Sequence, residues 1–334
     1  MSAERESPDL TGGHGTRTTR ESIYHALFFA SAVISILTTV GIILVLTIDA
    51  AGFFGQYSTV EFLSGTTFNV QREVFGVLPL VVGTLLITIG AAVIAIPLGV
   101  LTAIYLSEYA SPRVRAILKP LLEVLAGVPT VVYGYFALVY ITPALNVVIG
   151  WLSGILGVEI PTLGLFNGLS ASIVVGILII PMVSSISEDA MSSVPDSLRQ
   201  AGYGLGATKF SVSTTIVVPA AISGIASAFI LAISRAVGET MAVTLAAGTS
   251  PLKLPATESL FGIPYVAPTD IIGLYADSMA TMTSKMIDIA GGDLAGGSIS
   301  YDAMYAIGLT LFVITLAMNV LSDRIAARYR EEYE

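Results

Sequence analysis

The chain has no cysteine, which excludes disulfides, thiolate-bound metals and thiol nucleophiles, and says nothing about redox compartment. Its two histidines, His14 and His25, lie in or beside the N-terminal tail, too few and too peripheral for a metal site. No metal site and no catalytic residue is therefore expected. Charge is scarce as well: 12% of 334 residues are Asp, Glu, Lys or Arg, against about 25% in a soluble domain. With 54% of residues apolar, an ordinary soluble domain is excluded. No Gly-x-x-x-x-Gly-Lys-Ser/Thr loop or other nucleotide cradle occurs, so the chain is not expected to hydrolyse ATP or bind a cofactor itself.

The few charges are segregated. None falls in Ser22–Ile48, Val74–Ser107, Val124–Val158, Ile160–Ser187, Phe210–Ser234 or Ala303–Ser322. Each stretch reaches the ~20 residues that an apolar helix needs to cross a bilayer core. The sequence predicts an all-α, polytopic membrane protein with six transmembrane helices, at about 23–48, 75–106, 121–148, 166–187, 212–248 and 302–322. Residues 1–22 read as a polar cytoplasmic tail. Ile23–Ile48 is too long for a secretory leader and is taken as a retained extra helix, followed by an outer loop to residue 74. The core then runs over 75–325 and a second cytoplasmic tail over 326–334.

Cytoplasmic loops carry the Lys and Arg excess. With the N-terminus inside, eleven bases fall inside (Arg5, Arg17, Arg20, Arg113, Arg115, Lys119, Arg199, Lys209, Arg324, Arg328, Arg330). Three fall outside (Arg72, Lys253, Lys285), and both termini are expected in the cytoplasm. The second span is longer than a bilayer needs and invites a bend at Pro97, while the fifth should run on or break after Arg235. Pro79, Pro129, Pro143, Pro181 and Pro219 add to a picture of interrupted helices, which persist at membrane depth only against protein or a water-filled cavity. That favours a transporter over an anchor. In the outer segment Gly248–Tyr301, Thr269–Ile289 reads as an amphipathic or re-entrant helix closed by the turn Gly291-Gly292-Asp293. Met279, Met282 and Met286 on it are expected to pack against the bundle rather than meet substrate.

Between spans four and five lies a polar stretch, 188–211, in which Pro195 suits a first helical turn and Gly206 the end of a short helix. Gln200-Ala201-Gly202, Gly206, Ile216, Val218 and Pro219 follow the spacing of the ATPase-coupling loop of ABC importer permeases, with Gln200 for Glu, Gly202 for Ala and Val218 for Leu. The stretches Phe75–Leu80, Tyr105–Tyr109, Glu123–Gly134 and Ser234–Val243 resemble the phosphate-specific (Pst) permeases, and the ending Gly-Glu-Thr-Met-Ala-Val is closer to their PstC than their PstA type. The resemblance, over roughly 70–325, implies the type I ABC importer permease fold within the binding-protein-dependent (MetI-like) family. It also implies a second, PstA-like permease, two copies of a PstB-like ATPase carrying ATP and Mg, and an extracytoplasmic phosphate-binding protein, in lipid and without nucleic acid. The expected function is a permease subunit of an ATP-driven phosphate importer. Rival readings are a permease for molybdate or sulfate, or a channel or scaffold without an ATPase.

An ionised side chain within a span is costly and is usually functional or paired. Arg235 and Glu239 are four apart, would share a helical face and could pair, so that a passing phosphate would compete with Glu239 for the guanidinium. They are the expected substrate-pathway residues, set against a purely structural ion pair. Glu123 is expected to pair with nearby Lys119 at the cytoplasmic boundary. Tyr133, Tyr135, Thr130 and Ser234 are weaker pore-lining candidates, for which packing is the simpler role. Outside, ten acids (Asp49, Glu61, Glu73, Glu159, Glu258, Asp270, Asp277, Asp288, Asp293, Asp302) face three bases, in a chain of net charge −9. Such a surface repels an anion unless salt screens it, which points to a salt-loving source with phosphate delivered by a binding protein. A folding optimum at low-millimolar salt would argue against this; the other reading is a surface that repels wrong partners.

Overall fold

The computed structural model describes residues 14–158, 160–254, 258–260, 263–265 and 273–328. Most of the N-terminal tail, Glu159, Asp270, the start of the expected 269–289 helix and the end of the C-terminal tail lie outside the described residues, as does the side chain of Glu258. The described residues are mostly helical and include two small antiparallel ribbons, Phe68–Asn69 with Val74–Phe75 and Glu258–Leu260 with Ile263–Tyr265.

Helix α1 (His14–Phe54) lies along the last helix, His14–Phe54 against Ile299–Arg328 (α14). A short helix α2 (Thr59–Ser64) follows, and Phe53, Phe62, Phe68 and Phe75 bury edge-to-face around the first ribbon. This aromatic cluster fixes the extra helix to the core at one end of the bundle. Helix α3 (Leu78–Ile104) passes Pro97 without interruption; its irregularity is instead a π turn, Tyr105–Tyr109, at its end. Helix α3 packs most extensively on α7 (Gly168–Ser192), through Ile87, Ala91 and Ala95 against Val174, Val175, Ile179 and Val183. Within membranes, such contacts rest on close approach of small residues. Gly99 permits one: a Cβ there would lie 2.6 Å from the Val183 side chain.

The third expected span is displaced. Residues 112–127 form a separate amphipathic helix, α4 (Pro112–Gly127), and the apolar span comprises α5 (Thr130–Phe136), a π turn and α6 (Thr142–Leu156). Val128 and Pro129 adopt extended backbone there, because proline disfavours helix in the residue before it. The fifth span is bent by 70° between Lys209–Ala220 and Ile222–Val237 (α11). Within the first arm lie α9 (Lys209–Val212), a π turn and α10 (Val218–Ala220), which contains Pro219. Helix α11 ends at Val237, and α12 (Met241–Ala247) resumes after a break, as the sequence suggested beyond Arg235. Among the described residues five helices are long and apolar enough to span a membrane, and six spans result when the bent pair counts as one.

Within the described part of 269–289, residues 273–274 and Met282–Ala290 (α13) are helical, with a break between them. Met279–Thr281 is buried and without regular structure, with Met279 bonded to Ala247 O and Ala280 to Ser250 O. The Gly291-Gly292 turn closes α13, and Met279 and Met282 are packed inside the core.

Candidate functional site

The informative end of the molecule is the one where α3 and α7 finish, α4 starts and the short helix α8 (Asp196–Gly204) lies. Pro195 immediately precedes α8, and Gly206 beyond it takes a left-handed conformation (φ 81°), as the turn signals required. Gly202, where the motif has alanine, is buried; a Cβ there would lie 2.7 Å from the Ile216 side chain. Ile216 and Gly202, fourteen residues apart in the motif, are thus two halves of one contact that folds α8 back on the α9 arm. Gln200 and Ala201 are exposed, as are Tyr203, Phe210 and above all Leu205, at 90% of its surface. Pro219 sits just before the 70° bend.

The carboxylate of Glu188 at the end of α7 is fully buried. It is bound by Arg115, by Lys119 at 2.7 Å and by the Ser192 hydroxyl at 2.9 Å. Lys119 also holds Asp189 at 2.7 Å. Hydrogen bonds to Asp189 and Glu188 raise its pKa above the usual lysine value of 10.5. A buried carboxylate is retained only when its lone pairs are met in this way. A second group joins Arg199 of α8 to Glu108 in the π turn of α3, at 3.0 and 3.2 Å. The same guanidinium donates to Met191 O and Val194 O.

Behind Glu188 lies a cavity of about 320 Å³ lined by Leu106, Lys119, Leu122, Glu123, Ala126, Leu178, Pro181, Met182, Ser185, Glu188 and Arg235. It therefore reaches from the charged end of the bundle to the middle of α7, with Arg235 among its walls. Arg235 forms no ion pair among the described residues.

Two expected pairings are corrected. Arg235 and Glu239 do not share a helical face, because α11 stops at Val237. The Glu239 carboxylate instead accepts from the backbone N–H groups of Thr240 and Ala242, capping α12, and its carbonyl accepts from Thr283. Backbone donors at a helix start favour a carboxylate and draw it from the arginine. Nor does Lys119 pair with Glu123: its ammonium is taken by Glu188 and Asp189, and Glu123 faces the cavity. Tyr133 packs and bonds Leu125 O, Tyr135 is exposed, and Ser234 bonds Asn319 of α14. Glu108, Arg115 and the contacts of Arg199 and Glu188 were not foreseen. One signal was available: Arg115 and Lys119, four apart, share a face of α4 and call for an acid opposite.

Apolar spans, one of them bent, a short helix braced against their ends and a charged cavity behind it define the membrane-embedded subunit of a transporter. A bacterial alginate ABC transporter, solved with its pentasaccharide-bound periplasmic protein, contains a chain that superposes with a TM-score of 0.62 at 14% identity, over 94% of this chain and 96% of that one. The chain belongs to the family described as "Binding-protein-dependent transport system inner membrane component", whose model matches residues 95–331. It is similar to the phosphate transport system permease protein PstC of Mesorhizobium japonicum, 32% identical over 98% of this chain and 96% of that protein. It is also similar to the probable ABC transporter permease protein YqgH of Bacillus subtilis, 32% identical over 90% and 88%.

Proposed function

We propose that this chain is the PstC-type permease subunit of an ATP-driven phosphate importer. The observation that carries the substrate is the near-complete coverage shared with the PstC protein of M. japonicum. The chemistry of the cavity is compatible. Arg235 offers it a permanently charged, planar fork that suits phosphate oxygens. With Glu239 engaged as a cap, the guanidinium needs no displacement of an acid before it meets an anion. Glu239 acts indirectly, holding the α11–α12 break that places Arg235.

ATP and Mg belong to a separate ATPase, in two copies, which docks on the exposed apolar side chains around α8, Leu205 foremost. A PstA-like permease completes the pore and an extracytoplasmic protein delivers phosphate to the acidic outer face. In this reading both termini are cytoplasmic, as the basic residues argue. The test is phosphate uptake by vesicles holding the reconstituted complex. Arg235→Gln is expected to lower ATP-driven uptake at least tenfold while the ATPase still co-purifies. Normal uptake by the variant would reduce Arg235 to a structural role. Stronger competition by molybdate or sulfate than by phosphate would reassign the substrate, and failure of an ATPase to co-purify would restore the channel or scaffold reading.

A further inference from the structure

Two cations fasten α8 and the residues just beyond it to the end of α3. Arg199 within it binds Glu108 through two nitrogens, at 3.0 and 3.2 Å, and Lys209 beyond it lies 5.0 Å from the centre of the Tyr109 ring. Glu108 and Tyr109 are consecutive residues of the π turn that ends α3. The coupling segment is therefore pinned at two points, Arg199 and Lys209, to a single turn of a membrane helix. The two pins differ in strength. A cation over a ring at the surface is weak, whereas the Arg199–Glu108 pair is nearly closed to solvent, with side chains 14% and 4% exposed.

The remaining donors of Arg199 deepen the joint. Its Nη2 gives a hydrogen bond of 2.8 Å to Met191 O, and Nη1 gives one of 2.5 Å to Val194 O. Met191 belongs to the last turn of α7, whose final carbonyls have no partner within the helix. One planar fork thus connects α8, the end of α3 and the end of α7. Asp196 also touches it at 3.3 Å, but that carboxylate is open to water and contributes little. A lysine could not reproduce this arrangement, since it presents a point charge rather than a fixed fork.

We propose that Arg199 is the positioning residue that transmits movement of α8 to the α3–α7 pair, with Glu108 as its receiver, so that losing the joint uncouples ATP hydrolysis from transport. The inference rests on the reading of the chain as the permease of an ATP-driven importer. Docking needs only the exposed side of α8 and its C-terminal end, where Gln200 and Leu205 are exposed. Transmission needs the inward face, where Arg199 sits. Removing Arg199 therefore leaves the ATPase a surface to bind and removes what the surface is attached to.

The experiment measures phosphate uptake and ATP hydrolysis side by side in vesicles holding the complete complex. Arg199→Ala is expected to lower the uptake per ATP about tenfold, within the roughly 5–150-fold span of energetic coupling between sites, with hydrolysis and ATPase co-purification retained. Glu108→Gln, which keeps the carbonyl contacts of Arg199, is expected to lower it less. Because the chain has no cysteine, Glu108→Cys/Arg199→Cys can be bridged selectively by a short bis-maleimide. Bridging is expected to recover coupling that the unbridged double variant lacks. Wild-type uptake per ATP in Arg199→Ala, or a bridged pair that stays uncoupled, would overturn the proposal. Should Arg199→Ala fail to assemble, Glu108→Gln and the bridged pair decide. Absence of ATP-driven uptake in the wild-type complex would instead sink the importer reading itself.

Discussion

The two ends of α7 are held by different chemistry. At its start the Asn167 side chain accepts from Ser170 N at 2.8 Å and donates to Thr142 and to Gly164 O, while Thr142 and Ser170 share a further hydroxyl contact. The bonds there are neutral and buried. At its finish Glu188, Arg115, Lys119 and Asp189 form an ionic group whose bases reach solvent. Neutral bonds between buried groups have no alternative partner, and breaking them strands a donor. Ionic contacts at a wet boundary can exchange partners at low cost. The contrast marks one end as fixed and the other as the place where rearrangement is permitted.

The largest effect is expected from Asn167→Ala, which removes the cap of α7 and leaves Ser170 N and Gly164 O unpaired in a buried site. A loss of about 2–4 kcal/mol is expected, read as a lower Tm in detergent that does not change with NaCl. A loss under about 0.5 kcal/mol would break the contrast at its fixed end. Glu188→Gln should cost less, about 1 kcal/mol, because Arg115 and Lys119 are solvated and Lys119 keeps Asp189. That loss is expected to shrink as NaCl rises; a salt-independent loss would place the two ends in one class. The smallest effect concerns pH. The pKa of Lys119 is raised by folding, so its contribution is complete below the unfolded value near 10.5 and is lost as pH rises through the higher folded value. Stability should show no Lys119-dependent change between about pH 6 and 9, and a Lys119→Met comparison should converge with wild type only at stronger alkali.

The spans were legible because charge exclusion by a bilayer acts on composition, and the six charge-free stretches needed no packing information. Helix α8 was legible because Pro195 and Gly206 mark local backbone geometry. The third span was displaced because Val124–Val158 is continuously uncharged, so that charge did not place its start; Pro129, already a sign of interruption, imposes the break between α4 and α5. The supposed Arg235–Glu239 pair failed for the opposite reason: spacing implies a shared face only while the helix continues, and Gly238 lies between them. The Glu188 and Arg199 contacts join residues about 70 to 90 positions apart, and no local pattern encodes such distances. Only the two bases on one face of α4 hinted at them.

The buried segment Met279–Thr281 has a mechanical consequence. Met282 N donates to Thr84 of α3, Gly168 N of α7 donates to Asp277 O nearby, and Met279 is bonded to Ala247 of α12. Three helices are clamped together at one membrane face by a strip of chain too short to stretch. That face then serves as a fulcrum, and α7, about 37 Å long at about 1.5 Å per residue over its 25 residues, as a lever. A tilt of only about 5° about the clamp would carry its charged end through about 3 Å, comparable with the length of one ionic contact.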